Sequence, residues 1–311
     1  MSASLLKYFR RVRLSNNIYI VAYHGVAEKR KDRFWERNFT LLSDFKEHIR
    51  LFKNYPILST NQLLDYVLAH KAPAKPSFYI TFDDGYKNNL IAAELFARGN
   101  IPWSLFLSTQ SISTGAWIWP NELALLFRLT VKNAMLFRGA VYNLSSEDAK
   151  KESFNEIRRS IKQLCAPERI VLMEELKQQM GIGEIESVRE AMPEFDMLSW
   201  NDVKSLAGHA EVGAHGVAHE LLHSNQQAQI IQFELTQSKK DIEAHVSKTC
   251  LLYAYPNGDH CEAAVNMANA VGYQLGFTMR QSKVAPRDQQ LLLPRIGAAV
   301  DIYELRARLS L

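Results

Sequence analysis

The sequence predicts one α/β domain over residues 1–311, with a barrel or barrel-like core. The chain has 311 residues, 47% apolar and 23% charged, which is the ordinary balance of a globular protein with one large core. Short apolar runs alternate with longer segments of helical period, as in a parallel sheet with crossover helices. The number of these strand–helix units, close to seven, favours a barrel over a two-domain arrangement.

Composition excludes several other classes. No apolar run approaches the roughly 18 to 20 residues of a membrane helix, and no heptad persists, so an integral membrane protein and a coiled coil are excluded. The three cysteines show no CxxC spacing, which argues against a disulfide framework and against a thiolate zinc site.

The strands and helices follow from hydrophobic period and β-propensity. The predicted strands are residues 18–23, 78–82, 104–107, 211–214, 251–255 and 274–279. The predicted helices are residues 43–53, 61–70, 87–98, 199–207, 226–246, 262–271 and 302–309.

One segment interrupts this alternation. Residues 121–196 have helical period throughout and dense charge, and Pro167 and Pro193 are the hard breaks. We interpret the segment as a helical insertion within the domain. We expect it to pack near the mouth of the barrel and to influence substrate choice, because it contains none of the motifs described below.

The net charge is +4, and the basic excess lies near the N-terminus. We expect no nucleic-acid partner. A basic segment at residues 7–13 could touch anionic lipid headgroups, and the alternative is a solvated helix end. The N-terminus lacks the apolar stretch and cleavage site of a secretory signal, so we expect a cytoplasmic protein, with at most peripheral contact at the inner membrane surface. The sequence does not predict an oligomeric state.

The first chemical motif is a pair of carboxylates at the end of an apolar strand. Asp83 and Asp84 follow residues 78–82 and precede Gly85. Barrel strands deliver reactive side chains at their carboxyl ends, and Gly85 gives the chain freedom to turn both carboxylates into one cavity. One carboxylate can then bind a cation while the other acts as a base. Taken alone, the pair could equally cap a turn.

The second motif is a pair of histidines at another strand end. His215 and His219 lie on one face if the backbone turns helically there, within reach of one metal ion. Two histidines and one carboxylate leave coordination positions open for water and substrate. His223 is a further candidate by spacing, but we interpret it as a bystander because a carboxylate already completes the set.

A third strand end carries Tyr255, Pro256, Asn257 and Gly258. Such a turn presents backbone N–H groups outward, as an oxyanion requires, although on its own it is an ordinary turn.

Together these motifs resemble the polysaccharide deacetylases of the NodB-homology type, carbohydrate esterase family 4. The matching segments are TFDDG at 81–85, HGVAH at 215–219 and YPNG at 255–258, in this order. The resemblance covers roughly residues 18–110 and 197–300 and leaves the insertion uncovered. It implies a distorted (β/α)7 barrel that hydrolyses an N-acetyl group on a sugar with a divalent metal.

The resemblance also implies a role for each matching residue. Asp83 inherits the role of base, and the metal is implied to be held by Asp84, His215 and His219. Zn²⁺ is the default from the ligand types, although Co²⁺, Ni²⁺ or Fe²⁺ fit the same set. The backbone N–H of Asn257 would hold the oxyanion. Substrate contacts are expected in the same turn, from Tyr255 and Pro256.

The sequence departs from the family pattern at the general acid, the residue that protonates the departing amine. Most members take the acid from a late Leu-x-His motif, which is missing here. The sequence Tyr23-His24 ends the first strand, which looks like the early YHxx motif of the poly-N-acetylglucosamine deacetylases. His24 is therefore our candidate acid, with a structural strand-end histidine as the alternative. If His24 is not the acid, His260 and metal-bound water are the remaining candidates.

Three further departures concern the surroundings of the motifs. Gly216 replaces the usual Ser or Thr and removes a hydroxyl that fixes the loop. Ala254 stands where many members have an arginine that pairs with the base, and Arg295 could supply that cation from another strand or be a surface arginine. Asn257 replaces a common Tyr, which alters the pocket wall.

Two tryptophans follow a Ser/Thr/Gly loop. Exposed aromatic rings stack on sugars, so Trp117 or Trp119 could line the substrate groove. The alternative is that they pin the insertion to the barrel.

The leading function is a metal-dependent hydrolase that removes acetyl from an N-acetylated sugar in a polysaccharide or a lipid-linked glycan intermediate. A second interpretation keeps the metal and changes the amide, as in deformylation of a lipid-linked amino sugar. A third is a non-catalytic carbohydrate-binding protein, which the intact Asp-Asp and HxxxH motifs disfavour.

Overall fold

The fold is that of a computed structural model, which describes residues 14–183 and 192–310. In these residues the strands are β1 Ile18–Tyr23, β2 Gly25–Ala27, β3 Phe39–Leu41, β4 Ser77–Phe82, β5 Ser104–Leu107, β6 Ala134–Phe137, β7 Ala140–Asn143, β8 Glu211–Ala214, β9 Leu252–Ala254, β10 Leu275–Phe277 and β11 Ile296–Gly297. The α-helices are α1 Leu42–Phe52, α2 Thr60–Leu68, α3 Asn89–Gly99, α4 Thr109–Thr114, α5 Trp119–Leu129, α6 Glu147–Ile161, α7 Ala166–Met180, α8 Trp200–Leu206, α9 Ala228–Val246, α10 Glu262–Val271 and α11 Ile302–Leu309.

Seven strands form one parallel sheet in the order β10, β9, β8, β5, β4, β1, β11. Strands β1 and β4 pair along six residues, from Ile18 opposite Ser77 to Tyr23 opposite Phe82. Every residue of both strands is buried. Burial on both faces explains why these strands are continuous apolar runs in the sequence instead of alternating ones.

The sheet curls on itself into a barrel. The ring centroid of Phe277 on β10 lies 6.0 Å from that of Tyr79 on β4 and 5.1 Å from that of Phe106 on β5, although these strands are not neighbours in the sheet. Leu293 pairs with Phe277 at one edge, and Ile296 pairs with Val21 at the other. The segment 293–297 therefore joins the two edges, and the predicted distorted (β/α)7 barrel is confirmed.

The helices begin where the sequence provides capping residues. Ser59 accepts a hydrogen bond from the backbone N–H of Gln62, and the Gln62 side chain accepts one from the backbone N–H of Ser59. Ser199 and Asp202 make the same reciprocal pair at the start of α8. Both pairs satisfy N–H groups that a helix start leaves without an intrahelical partner.

The insertion differs from its prediction in one respect. Residues 121–196 were predicted to be helical throughout, and α6 and α7 are helical, but β6 and β7 form an antiparallel hairpin between α5 and α6. The two turn residues of the hairpin, Arg138 and Gly139, have φ angles of +48° and +80°. Positive φ at both central residues matches the twist of paired strands, and the local chain therefore folds as a hairpin.

The insertion contributes most of a second hydrophobic cluster, to which Trp35 and Leu221 also belong. Leu123 and Phe127 of α5, Phe154 and Ile157 of α6 and Leu176 of α7 are buried together. The helices around the barrel pack on a separate cluster that includes Tyr23, Phe82 and Val212. The insertion is thus a second packed layer, and its α5 and α6 reach the cavity described below.

Among the described residues, no helix combines the length and the apolar character needed to cross a bilayer. The basic segment at residues 7–13 lies outside the described residues, and its membrane contact stays a prediction.

Candidate metal and catalytic site

The sequence motifs meet at the carboxyl ends of the barrel strands. His24 follows β1, Asp84 follows β4, His219 lies beyond β8 and Asn257 follows β9. All four line one cavity of about 280 Å³. The chain order of the parallel strands therefore places residues that are far apart in sequence on one rim.

The two carboxylates are positioned by an unusual turn. Asp84 has φ +73° and Gly85 has φ +87°, so two successive residues adopt the left-handed conformation directly after β4. A left-handed residue other than glycine is uncommon and costs free energy that the surrounding structure must offset. Asp83 and Asp84 are each only 2% exposed. The turn thus holds two carboxylates inside the protein at the end of one strand.

Asp84, His215 and His219 come together around one carboxylate oxygen. The Nε2 atoms of His215 and His219 lie 3.3 Å and 3.4 Å from Oδ1 of Asp84. One ligand atom from each of the three residues lies within 4.8 Å of the others. The pair of histidines is not on a helix, because His219 itself has φ +56°, and a non-helical turn brings the two rings together.

The donor set fits a divalent metal. The Nδ1 atom of His215 lies 2.7 Å from the carbonyl oxygen of Ala254, to which it must donate, so Nε2 keeps its lone pair facing Asp84. Oδ1 of Asp84 is buried and has no hydrogen-bond partner among the described residues. Two imidazole nitrogens and an unpartnered carboxylate oxygen at one point are the ligand types that Zn²⁺ and related ions take. His223 lies outside this group.

The neighbouring carboxylate has a different partner. Nη1 and Nη2 of Arg295 lie 2.7 Å and 2.8 Å from Oδ1 and Oδ2 of Asp83, in a buried two-pronged pair. Burial raises the pKa of Asp83, but the Arg295 guanidinium and the nearby His215 outweigh it and hold the pKa below its usual value. Arg295 comes from the segment that closes the barrel, so a cation from another strand pairs with Asp83, as the sequence analysis expects, and Arg295 is not a surface arginine.

Asp84 is likewise held ionised. Burial raises its pKa, but the adjacent imidazoles of His215 and His219 outweigh burial and take the pKa well below the usual value. The two adjacent carboxylates of this turn thus have different partners: Asp84 faces the two histidines, and Asp83 faces Arg295. Different surroundings allow the two carboxylates to have different functions.

His24 is partly exposed and lines the cavity together with Asp84 and His219. The Asn89 side chain donates a 2.6 Å hydrogen bond to the backbone carbonyl of His24, which fixes the chain at this point. His260, the other histidine candidate, is exposed beyond the β9 turn and lines a neighbouring cavity.

The turn after β9 exposes one residue and buries two. Asn257 has φ +57° and Gly258 has φ +81°, which projects Asn257 into the cavity. Tyr255 and Pro256 are buried and do not line the cavity. Neither of the two residues expected to contact substrate here lines the cavity, whereas Asn257, whose backbone N–H was expected to hold the oxyanion, does.

The two tryptophans have different surroundings. Trp119 lines the cavity, and its Nε1–H donates a 3.0 Å hydrogen bond to the carbonyl oxygen of His219. Trp117 is buried with its ring 5.7 Å from that of Phe195 and does not line the cavity. Trp119 therefore ties the insertion to the histidine loop, and Trp117 packs behind it.

A buried carboxylate that the sequence analysis missed supports the histidine loop. Glu234 of α9 accepts hydrogen bonds from the backbone N–H groups of Val217, at 2.7 Å, and Ala218, at 3.1 Å. A side chain at Gly216, which has φ +80°, would overlap the Glu234 carboxylate. Burial and the nearby Glu220 raise the pKa of Glu234 to about 7. The sequence did contain a signal for this residue. Gly216 replaces the usual Ser or Thr, and the space that the missing side chain leaves is filled by the Glu234 carboxylate.

Fold and site together define a barrel hydrolase with its reacting groups at the strand ends. The polysaccharide deacetylase family model matches residues 70–276, about two thirds of the chain. The chain belongs to the polysaccharide deacetylase family, whose members hydrolyse N-acetyl groups on carbohydrates.

Solved structures show the same fold at low sequence identity. IcaB from Ammonifex degensii has a TM-score of 0.61 at 14% identity, covering 96% of this chain and 99% of that one. The Streptococcus pyogenes deacetylase PplD in complex with acetate has a TM-score of 0.60 at 15% identity, covering 90% and 92%. The BpsB deacetylase domain from Bordetella bronchiseptica has a TM-score of 0.54 at 16% identity, covering 91% and 96%. No curated protein sequence matches this chain.

Proposed function

We propose that this protein is a metal-dependent hydrolase that removes the N-acetyl group from an amino sugar of a polysaccharide or a lipid-linked glycan. The observation that carries the proposal is the buried group of Asp84, His215 and His219 at the cavity, with two imidazole nitrogens facing one unpartnered carboxylate oxygen. Two of the similar structures, PplD and the BpsB domain, are named as deacetylases, which agrees with this reaction.

The ligands would be Asp84, His215 and His219, with Zn²⁺ as the first expectation. When bound, a divalent ion lowers the pKa of a water molecule and polarises the amide carbonyl. The other steps belong to the chain's own groups.

Asp83 accepts the proton of the attacking water. Its pairing with Arg295 keeps it ionised and fixes its orientation, so it is available as a base at neutral pH. The backbone N–H at the Asn257 turn stabilises the oxyanion that develops on the former carbonyl. His24, from the opposite end of the chain, donates a proton to the departing amine, which leaves as a neutral amino sugar.

The test uses purified protein loaded with Zn²⁺ and oligomers of N-acetylated and N-formylated amino sugars, with free acid and new amine measured together. We expect acetate and amine in equal amounts. Asp84→Ala should abolish both, while His223→Ala, a matched histidine outside the group, should retain them. Release of formate alone would replace the proposal by a deformylase, and binding of the oligomers without any acid would replace it by a carbohydrate-binding protein.

A further inference from the structure

One part of the cavity lining carries three basic side chains. Arg37 comes from the loop before β3, Arg158 lies in the last turn of α6, and Lys162 is the residue that caps the end of that helix. All three line the cavity that His24 and Asp84 also line. We call these three residues the cationic wall.

The cationic wall is one continuous surface. The guanidinium carbons of Arg37 and Arg158 lie 5.3 Å and 5.8 Å from the centroid of the same ring, that of Phe154. The Lys162 ammonium donates to the side-chain oxygen of Asn257, in the turn after β9. The wall therefore runs from the Phe154 ring to the place where we propose that the oxyanion is held.

Within residues 14–183 and 192–310, none of the three cations forms an ion pair with a carboxylate. The Nε atom of Arg158 is buried without a hydrogen-bond partner in that same part of the chain. The Glu36 carboxylate also lines the cavity, but it accepts hydrogen bonds from the backbone N–H groups of Lys31 and Asp32. Asp259 attracts Lys162 and accepts a 2.6 Å hydrogen bond from the Asn257 amide.

The charges on the wall also disfavour one another. Burial, and then the charge of Arg158, lowers the pKa of Arg37 to about 10. Burial and Arg158 also lower the pKa of Lys162 to about 8, against the attraction of Asp259. Partly desolvated cations without a carboxylate partner are costly, and a bound anion offsets that cost.

We infer that the substrate carries a phosphate next to its N-acetylated sugar, and that Arg37, Arg158 and Lys162 bind this phosphate. The inference rests on the proposed deacetylation and names the class of its substrate. Three separate donors call for an anion with at least three oxygens and more than one negative charge. A phosphate monoester or a diphosphate meets both needs, whereas a carboxylate offers two oxygens and one charge. The source is a soluble sugar phosphate or a sugar joined to a lipid through a diphosphate.

Binding measurements separate this inference from the proposed reaction. The probes are N-acetylglucosamine 1-phosphate, N-acetylglucosamine and N-acetylglucosaminuronic acid, titrated calorimetrically into Zn²⁺-loaded protein. We expect the phosphorylated sugar to bind at least about 10-fold tighter than the neutral one, and tighter than the uronate. Equal binding of the phosphorylated and neutral sugars, or equal or tighter binding of the uronate, would overturn the inference, whether or not acetate is released.

Variants then locate the effect. Arg158→Gln and Lys162→Gln should each weaken binding of the phosphorylated sugar by about 10- to 100-fold and leave the neutral sugar unchanged. The matched control is Arg159→Gln, an exposed arginine on the same helix, which should change neither. An equal loss in the Arg159 variant would mean general electrostatics and would contradict a built site. A comparison of kcat/KM between a lipid-linked and a soluble phosphorylated substrate identifies which of the two carries the phosphate that the wall binds. The ratio of the two kcat/KM values should be the same in Arg159→Gln as in the wild-type protein.

Discussion

The two walls of the cavity differ in how their charges are satisfied. On the barrel wall, Asp83 has Arg295 and Asp84 has two histidines, all buried. On the wall that includes the insertion, Arg158 and Lys162 are half-buried cations without an ion pair among the described residues. The paired charges of the barrel wall are fixed before substrate binds, which suits a catalytic step that is the same in every turnover. The unpaired cations of the other wall are free to pair with a ligand that binds and then leaves.

Packing separates the two walls as well. The barrel wall is built on strands whose residues belong to the main core, while α5 and α6 pack in a cluster around Phe127 and Phe154. Substitutions on the barrel wall should therefore affect metal binding and turnover, and substitutions on the insertion should affect the choice of substrate.

The largest effect should come from a ligand histidine. His215→Ala removes an imidazole from the Asp84 group, so bound metal and activity should fall together, with a loss in kcat/KM of about 10³-fold or more. Metal content by elemental analysis and acetate release are the two measurements. His223→Ala serves as the control and should match wild type in both. Wild-type metal content in His215→Ala would remove this residue from the ligand set.

Removal of the proposed acid should act on turnover alone. A proton donor that acts when the amine leaves stabilises the transition state, so His24→Ala should lower kcat by about 10²- to 10⁴-fold with little change in KM. Metal content should equal that of wild type, unlike the ligand variants. His260→Ala is the matched comparison and should keep its activity. Near-normal turnover in His24→Ala together with a loss in His260→Ala would transfer the role to His260.

The sequence predicts the barrel wall better than the other one. Asp84, His215 and Asn257 each end or follow a predicted strand, and parallel strands deliver their carboxyl ends to one rim. Local pattern was sufficient for these three residues, because the strand itself determines where the following residue lies. Arg295 follows no predicted strand, and only the resemblance to the family, through the arginine missing at Ala254, pointed to it.

The wall that includes the insertion is set by contacts between distant parts of the chain, which no local sequence pattern predicts. Helical period identifies the apolar face of α6, but not which cavity its Arg158 and Lys162 reach, since that follows from how α6 packs against the barrel. Strand β11 has two residues and offers no period to detect. The β6–β7 hairpin was missed because its turn, Arg138-Gly139, lacks the Asn-Gly signal of such turns.

Substitution of Arg295 should lower the stability of the protein. Arg295→Met leaves the buried Asp83 carboxylate unpaired, so the free energy of unfolding should fall by about 3 to 5 kcal/mol. Denaturant titration measures the loss. The double variant Asp83→Asn/Arg295→Met removes both charges and should recover part of it. If the double variant lost as much as the sum of the single variants, the two side chains would contribute independently and the pair would not be coupled.

The smallest effect should come from Glu234, which touches the loop between the histidines and not the histidines' own ring nitrogens. Its carboxylate accepts hydrogen bonds from the N–H groups of Val217 and Ala218, in the space that Gly216 leaves open. Glu234→Gln keeps one oxygen acceptor and replaces the other by a donor that faces an N–H group. The loop should then hold His215 and His219 less firmly, and the affinity for Zn²⁺ should fall by about 10-fold, the lower end of the range for groups that orient ligands.

Competition with a chelator of known Zn²⁺ affinity measures this change without reference to turnover. Glu243→Gln, on the same helix α9 and remote from the loop, is the matched control and should retain wild-type affinity. At saturating Zn²⁺, Glu234→Gln should recover most of its activity, because a positioning residue acts through metal occupancy and not on the reacting atoms. Wild-type Zn²⁺ affinity in Glu234→Gln, or an activity loss that saturating Zn²⁺ does not restore, would show that this carboxylate does not act by positioning the ligand loop.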